Sequence, residues 1–332
     1  MVLMAGWYAS QLRQELMARN RAYARGRAHV ESYGSSPVIV YAPDGFGHGN
    51  FFDPAYEAMA DRPEWMRRFD KVHAQGARSL PKPQIDPLRR WRELDSSMSS
   101  DALLMNIFCT PGVVESAEVC NLLGVEENVT PEFGWKARVP LAVGQFDRTE
   151  VDMRLGPLLV EAKLTEVGFQ TRAAAIVEAY RDFDEVFDRE RLPRAEIATA
   201  RWKRASEFPE NDSQEFESVV GDPEMVSAID TAFRPPGEPG YASYQLIRGV
   251  LAAFATDSSF CVLHDERRPD LREEWFEVMA AVKSAAMRVR LKVLTWQELA
   301  AALPAALQEF LDVKYGIVAP GKTASAVEGV ET

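Results

Sequence analysis

The sequence predicts a mixed α/β fold of the α+β kind, in which a helical and irregular arm precedes an antiparallel meander flanked by helices. Between residues 135 and 165, three short runs rich in β-branched residues (KARVPLAV, TEVDMRL and PLLVEAKL) are separated by turn signals. Segments on both sides space their apolar residues as helices do. One later run, SSFCVLHD, has the unbroken apolar character of a buried strand.

Taken in order, residues 7–30 read as a helix with Leu12, Leu16 and Met17 on one face and five arginines against Glu15 elsewhere. Such a basic helix is more often a solvated face than a nucleic-acid contact. Residues 34–96 are rich in Pro, Gly and aromatic residues and predict an irregular arm. SSDALLMNIFC predicts a capped helix, and PGVVESAEVCNLLG a second one with Pro111 at its start. After the three strands, FQTRAAAIVEAYRDFDEVF (169–187) predicts one strong helix. Residues 206–240 have the clearest loop composition, flanked by the helix YASYQLIRGVLAAFA and the strand SSFCVLHD. Helices over REEWFEVMAAVKSAAMR and LTWQELAAALPAALQEFLDVKYG finish the fold. The expected division is an accessory arm at 1–95, a main domain at 96–317 with a loop insertion at 206–240, and a flexible tail at 318–332.

The chain has 332 residues, 46% of them hydrophobic, which is ample for a packed core and excludes a disordered tail or a disulfide-stapled miniature. Its net charge of −12 argues against a general polyanion binder while allowing a local basic groove or a carboxylate-rich metal site. Three widely spaced cysteines, Cys109, Cys120 and Cys261, form no CxxC pair, so a reducing compartment is the expectation. No uncharged apolar run reaches the roughly 18 residues of a membrane span, and the first residues lack a cleavable leader. The expected location is cytoplasmic.

The segment TEVDMRLGPLLVEAKLTE (149–166) carries the chemistry. If Gly156 and Pro157 form a two-residue turn, Leu155 faces Leu158, Asp152 faces Glu161 and Glu150 faces Lys163. Period-two alternation then puts those four charged residues on one face and Val151, Met153, Val160, Ala162 and Leu164 on the other. Opposed side chains in such a pair lie roughly 4.5–5.5 Å apart at Cβ, where like charges repel. Two facing carboxylates call for a cation, and hard oxygen ligands favour Mg²⁺ or Mn²⁺. The plainer reading is a solvated hairpin in which Glu150 and Lys163 make a weak ion pair. Asp312-Val313-Lys314 repeats the short spacing in helical sequence with no opposed acid, and is set aside.

Asp152, an eight-residue gap and then Glu161-Ala162-Lys163 on a strand that follows Leu-Leu-Val resembles the PD-(D/E)XK, or restriction-endonuclease-like, nuclease superfamily. More narrowly, SSDALLMNIFC, EFGWKARVPL, YQLIRGVLAAF and LTWQEL resemble an uncharacterised bacterial restriction-endonuclease-like family, and this likeness covers most of 96–316. The resemblance implies a mixed sheet around the meander and a Mg²⁺-dependent DNA endonuclease. Asp152 and Glu161 would hold the metal, Lys163 would be the catalytic lysine, and Gln170 would assist from beyond the lysine strand. Glu115 and Glu118 are the alternatives for an acid from the preceding helix. The superfamily's proline before the first acid is absent, since Val151 precedes Asp152.

The DNA-backbone candidates are Arg201, Lys203 and Arg204 around Trp202, Arg248 on YQLIRGV, and Lys283, Arg288, Arg290 and Lys292, a stretch without acids. A homodimer is a further expectation. The competing reading is a nuclease-fold DNA-binding or scaffold protein without catalysis. Residues 316–323 match a phosphate-loop pattern but lack the preceding strand and following helix it requires, and GFGHGN (45–50) reads as a flexible loop.

Overall fold

The computed structural model describes residues 2–45, 47–73, 79–83, 86, 88–197 and 238–325. The first helix, α1 (Val2–Tyr23), buries Leu12, Leu16 and Met17 as its spacing requires. Three of its arginines tie it to the rest of the chain: Arg13 donates to the Thr165 carbonyl, Arg19 to the Asp312 carbonyl, and Arg21 pairs with Glu31. The described remainder of the arm is more ordered than its composition suggests. It holds β1 (His29–Glu31), β2 (Ile39–Tyr41), β3 (Pro43–Asp44), β4 (Gly47–His48), α2 (Asp53–Ala60), α3 (Pro63–Met66) and single 3₁₀ turns at Arg67–Asp70 and Glu93–Asp95. Strands β1 and β2 pair antiparallel, as do β3 and β4.

Helix α4 (Ser100–Phe108) starts where predicted, with the Ser99 hydroxyl accepting the Ala102 N–H at 3.1 Å. Helix α5 (Ala117–Leu123) is shorter than expected. Its cap is Ser116 rather than a start at Pro111, and it stops at Gly124, whose φ of 67° suits a glycine. The meander follows as β5 (Glu132–Pro140), β6 (Phe146–Leu155) and β7 (Leu158–Ala162).

The helix expected over 169–187 is broken into β8 (Arg172–Ala173), α6 (Ala174–Val177) and α7 (Phe183–Val186). Its backbone is diverted to the end of β5: Ala142 N–H donates to the Ala179 carbonyl, and Arg181 N–H to that of Pro140. Tyr180, Phe183 and Phe187 are buried by this detour, and that burial overrides the helical spacing. A small antiparallel sheet in the order β8-β10-β9 holds β9 (Arg194–Ile197) and β10 (Glu238–Tyr241).

Helix α8 (Tyr244–Ala255) then crosses over to β11 (Ser259–His264), as read from sequence. Helices α9 (Pro269–Ala281) and α10 (Ala285–Arg288) lead to β12 (Leu291–Thr295), a strand the sequence reading missed because Arg290 and Lys292 made the segment look like a basic surface. Helix α11 (Trp296–Ala300) opens on a reciprocal cap between Thr295 and Glu298, and α12 (Ala305–Tyr315) ends at Gly316 in the left-handed region.

The main sheet has the order β12-β11-β7-β6-β5. Strand β11 runs parallel to both β7 and β12, while β5, β6 and β7 form the antiparallel meander. This mixed sheet between helices is compatible with a restriction-endonuclease-like fold. Two cores cover it. One joins Met153, Val160 and Ala162 to α4, α12 and α1, so arm and sheet share one apolar interior; the other joins Val151, Leu159 and Phe260 to α8 and α9. Among the described residues, no helix is long and apolar enough to cross a membrane.

Candidate active site

Leu155 pairs with Leu158 and Met153 with Val160, so the turn at Gly156 and Pro157 sets the register read from sequence. Beyond Met153 the ladder gives way to a side chain: Asp152 Oδ2 accepts the main-chain N–H of Ala162 at 2.7 Å. This bond brings Asp152 to the strand end that carries Glu161. On its other side β6 pairs Phe133 with Met153 and Trp135 with Val151, which sets Gly134 opposite Asp152. Gly134 has a φ of 62°, and the expected alternation fails at this level: Val151 and Met153 were expected on one face but enter different cores.

Glu161 and Lys163 are buried, which excludes the solvated hairpin face. Lys163 Nζ lies 2.9 Å from Glu161 Oε1, while its main-chain N–H goes to the Leu263 carbonyl. Its carbonyl accepts the Trp296 indole N–H at 2.9 Å. The lysine therefore serves its own strand's acid and is anchored to the β11 side. Glu150 instead pairs with Arg68, and its Cα partner across β5 is Lys136.

The acid that reaches this centre from the preceding helix is Asp101, which the sequence reading missed. It lies in the first turn of α4 and is bonded by Arg68 Nη2 at 2.8 Å and by Lys71 Nζ at 3.4 Å. Its Ser-Ser-Asp context reads as cap composition, which hid it. Glu115 and Glu118 are both exposed, and Glu115 accepts the N–H of Gly112 in its own loop. Neither is among the groups whose charge Asp152 feels.

Burial, then the charges of Glu161 and Asp101, hold the Asp152 carboxyl well above its ordinary range despite opposition from Lys163 and the Ala162 amide. Burial works against the charge on Lys163, but Glu161, Glu166 and Asp152 outweigh it and raise its pKa. The same balance of burial against Asp101 and Glu150 raises that of Arg68. A cation placed here would meet carboxylate oxygens from two or three elements, the donor chemistry of a hard divalent ion, with Asp152 Oδ1 unbonded among the described residues. The cluster as it stands is closed by its own cations, and no group of three acidic, histidine or cysteine side chains among the described residues is arranged to hold a metal.

Arg248 flanks the centre from α8. Its Nη2 donates to the Glu150 carbonyl at 3.4 Å, and the charge of Glu161 raises its pKa against the cost of burial. Gln170 is exposed with φ 60°, and its carbonyl accepts the Tyr244 N–H. Four other expected DNA contacts are engaged elsewhere. Lys283 donates to the Asp184 carbonyl, Arg288 to the carbonyls of Val282 and Lys283, and Lys292 to that of Leu123, while Arg290 pairs with Asp257. Arg290 precedes β12, and Lys292 stands two strands from β7 at the level of Val160, where alternation turns it to the sheet face opposite Glu161. Arg201, Lys203 and Arg204 fall outside the described residues.

Two cavities lie apart from the acids, one lined by Tyr23, Arg27, His48 and Phe310, the other by Arg194, Glu196 and Gly240. His48 is buried and bonded to Asp95 at 3.0 Å, with Asn50 donating to its Nδ1. Both ring nitrogens are thus committed to holding the arm together. The phosphate-loop match is ruled out by its setting, since Gly316 merely ends α12.

No curated protein and no solved structure matches the chain. Residues 17–316 match the family described as restriction endonuclease associating with ARP. The match starts well inside the arm, includes Arg68 as well as the strand pair, and spans most of the sequence; the chain belongs to this restriction-endonuclease family.

Proposed function

We propose that the chain is a Mg²⁺- or Mn²⁺-dependent DNA endonuclease that hydrolyses phosphodiester bonds at Asp152, Glu161 and Lys163. The observation that carries this reading is the bond from Ala162 N–H to Asp152, which holds an acid beside the strand end bearing Glu161 and Lys163, within a chain of restriction-endonuclease kinship. Asp152 and Glu161 would hold the ion, with Asp101 nearest to joining them. When bound, such an ion lowers the pKa of a water molecule and neutralises charge on the phosphate. Lys163 is held protonated by the surrounding acids, so it donates hydrogen bonds to an attacking water or a phosphate oxygen and does not serve as the base. Arg248, which reaches the Glu150 carbonyl from α8, would contact the DNA backbone.

The test is cleavage of plasmid and single-stranded DNA in Mg²⁺. Lys163→Ala is expected to lower the rate by about 100-fold or more while leaving the melting curve cooperative. Cleavage unchanged by that substitution would overturn the assignment.

One set of observations favours a second reading, a nuclease-fold DNA-binding or scaffold protein without hydrolysis. Glu161, Glu150 and Asp101 each have a basic partner within the chain, and neither cavity is lined by the acids. DNA binding indifferent to chelator and to Lys163→Ala, with no cleavage in either metal, would favour it.

A further inference from the structure

We propose that the N-terminal arm carries a working part of this centre, with Arg68 as a positioning residue that fixes the acids around Asp152. The inference rests on the nuclease reading and extends it to a residue about eighty positions from the strand pair.

Arg68 spans two elements. Its Nη1 lies 2.5 Å from Glu150 Oε1 on β6 and its Nη2 lies 2.8 Å from Asp101 Oδ2 on α4, with the side chain only 10% exposed. A planar guanidinium can hold two carboxylates at fixed separation, which an ammonium cannot do with the same geometry. Lys71, one turn on, adds a second contact to Asp101. The pair therefore sets where the helix acid stands relative to Asp152.

The sheet is shaped to receive this side chain. Gly134, cross-strand from Asp152, lacks a side chain at the place where a Cβ would collide with the Arg68 guanidinium. Its φ of 62° favours glycine independently. The residues around Arg68 are locked as well: the Trp65 indole N–H donates to the Pro131 carbonyl at 3.0 Å, its ring meets Phe133 edge-on, and Phe69 is buried beside Phe51 and His48. Pro131 and Phe133 lie just before Gly134, so arm docking and guanidinium placement share one anchor. The Arg68 Nε is buried and has no hydrogen-bond partner among the described residues, so the guanidinium is held by its two carboxylates alone.

The test compares the full chain with Arg68→Met and Arg68→Lys by thermal melting, by Mn²⁺ affinity from the paramagnetic resonance of the free ion, and by kcat and KM on plasmid. Arg68→Met is expected to weaken Mn²⁺ binding about 10-fold or more and to lower kcat about 100-fold, with KM nearly unchanged. Arg68→Lys should restore only part of either. A cooperatively melting Arg68→Met chain with wild-type kcat and Mn²⁺ affinity overturns the proposal. So does tighter Mn²⁺ binding with undiminished kcat, which would make the guanidinium a competitor of the ion. Should Arg68→Met fail to fold, Arg68→Lys, which keeps the charge and the stem, decides by the same split. A wild type that neither binds Mn²⁺ nor cuts DNA removes the nuclease reading and this inference together; a competent wild type beside an indifferent Arg68 variant removes this inference alone.

Discussion

Asp152 and Ala162 are joined by a side-chain bond where two strands would otherwise be joined by main chain, with Asp152 Oδ2 2.7 Å from the Ala162 nitrogen. The bond fixes one acid against the strand that carries the other. Its cost is electrostatic, because Asp152 is buried close to Glu161 and Asp101.

That cost predicts a pH dependence. The folded-state pKa of Asp152 is raised by burial and then by Glu161 and Asp101, so its contribution to metal-free stability is present below the ordinary carboxylate value and is lost as pH rises through the folded value. Asp152→Asn keeps an oxygen for the Ala162 amide and removes the titration. Its melting temperature relative to wild type should rise from about pH 4 to about pH 8 in the presence of chelator. A difference that stays flat or falls over this range would contradict the burial of that charge.

Gly134→Ala is expected to destabilise the chain by about 1–3 kcal/mol. The substitution places a Cβ against the Arg68 guanidinium and forces an L-residue to adopt φ 62°. Urea titration of the two proteins measures the difference; a change below about 0.5 kcal/mol would mean the seat is not tight.

Lys292 donates to the Leu123 carbonyl and lies near Gly124, two strands from β7 and on the sheet face opposite Glu161. Lys292→Met should therefore cost about 1 kcal/mol of stability by loss of that bond. DNA affinity should keep its salt dependence, whereas loss of a phosphate contact would reduce the slope of log K against log salt by about 0.9. Fluorescence anisotropy with a labelled duplex at several salt concentrations separates the two outcomes.

Lys314 is buried, donating to Asn50 Oδ1 and the Tyr315 hydroxyl, with the rings of Tyr23, Tyr41 and Tyr315 around it. Burial, then the charge of Arg27, holds its pKa well below that of an ordinary lysine. The unfolded chain binds the extra proton, so stability should rise with pH from the folded pKa toward about 10.4 and then level off. Lys314→Gln should flatten that slope between about pH 7 and pH 9; an unchanged slope would place its origin elsewhere.

Local chemistry made much of the fold legible. Ser99 capped α4 as its hydroxyl suggested, Gly156 and Pro157 set the register of β6 and β7, and the apolar runs of α8 and β11 were read directly. Long-range pairing defeated the rest. The segment over 169–187 has helical spacing, yet its Tyr180, Phe183 and Phe187 are buried by pairing with the end of β5, an alternative no local window can reveal. Strand β12 was hidden because Arg290 and Lys292 carry charge while its backbone completes the sheet.

The candidate site divides in the same way. Turn chemistry sets Asp152 opposite Glu161 and two-residue periodicity keeps Glu161 and Lys163 in phase on their strand, because both act over neighbouring residues of one hairpin. The tertiary structure alone decided that Lys163 pairs with Glu161 and not Glu150, that Asp101 rather than Glu115 or Glu118 adds its charge to the surroundings of Asp152, and that Arg68 reaches across from the arm to hold Asp101 and Glu150. Those choices depend on burial, which makes a distant cation worth more than an exposed neighbour, and burial is a property of the packed chain.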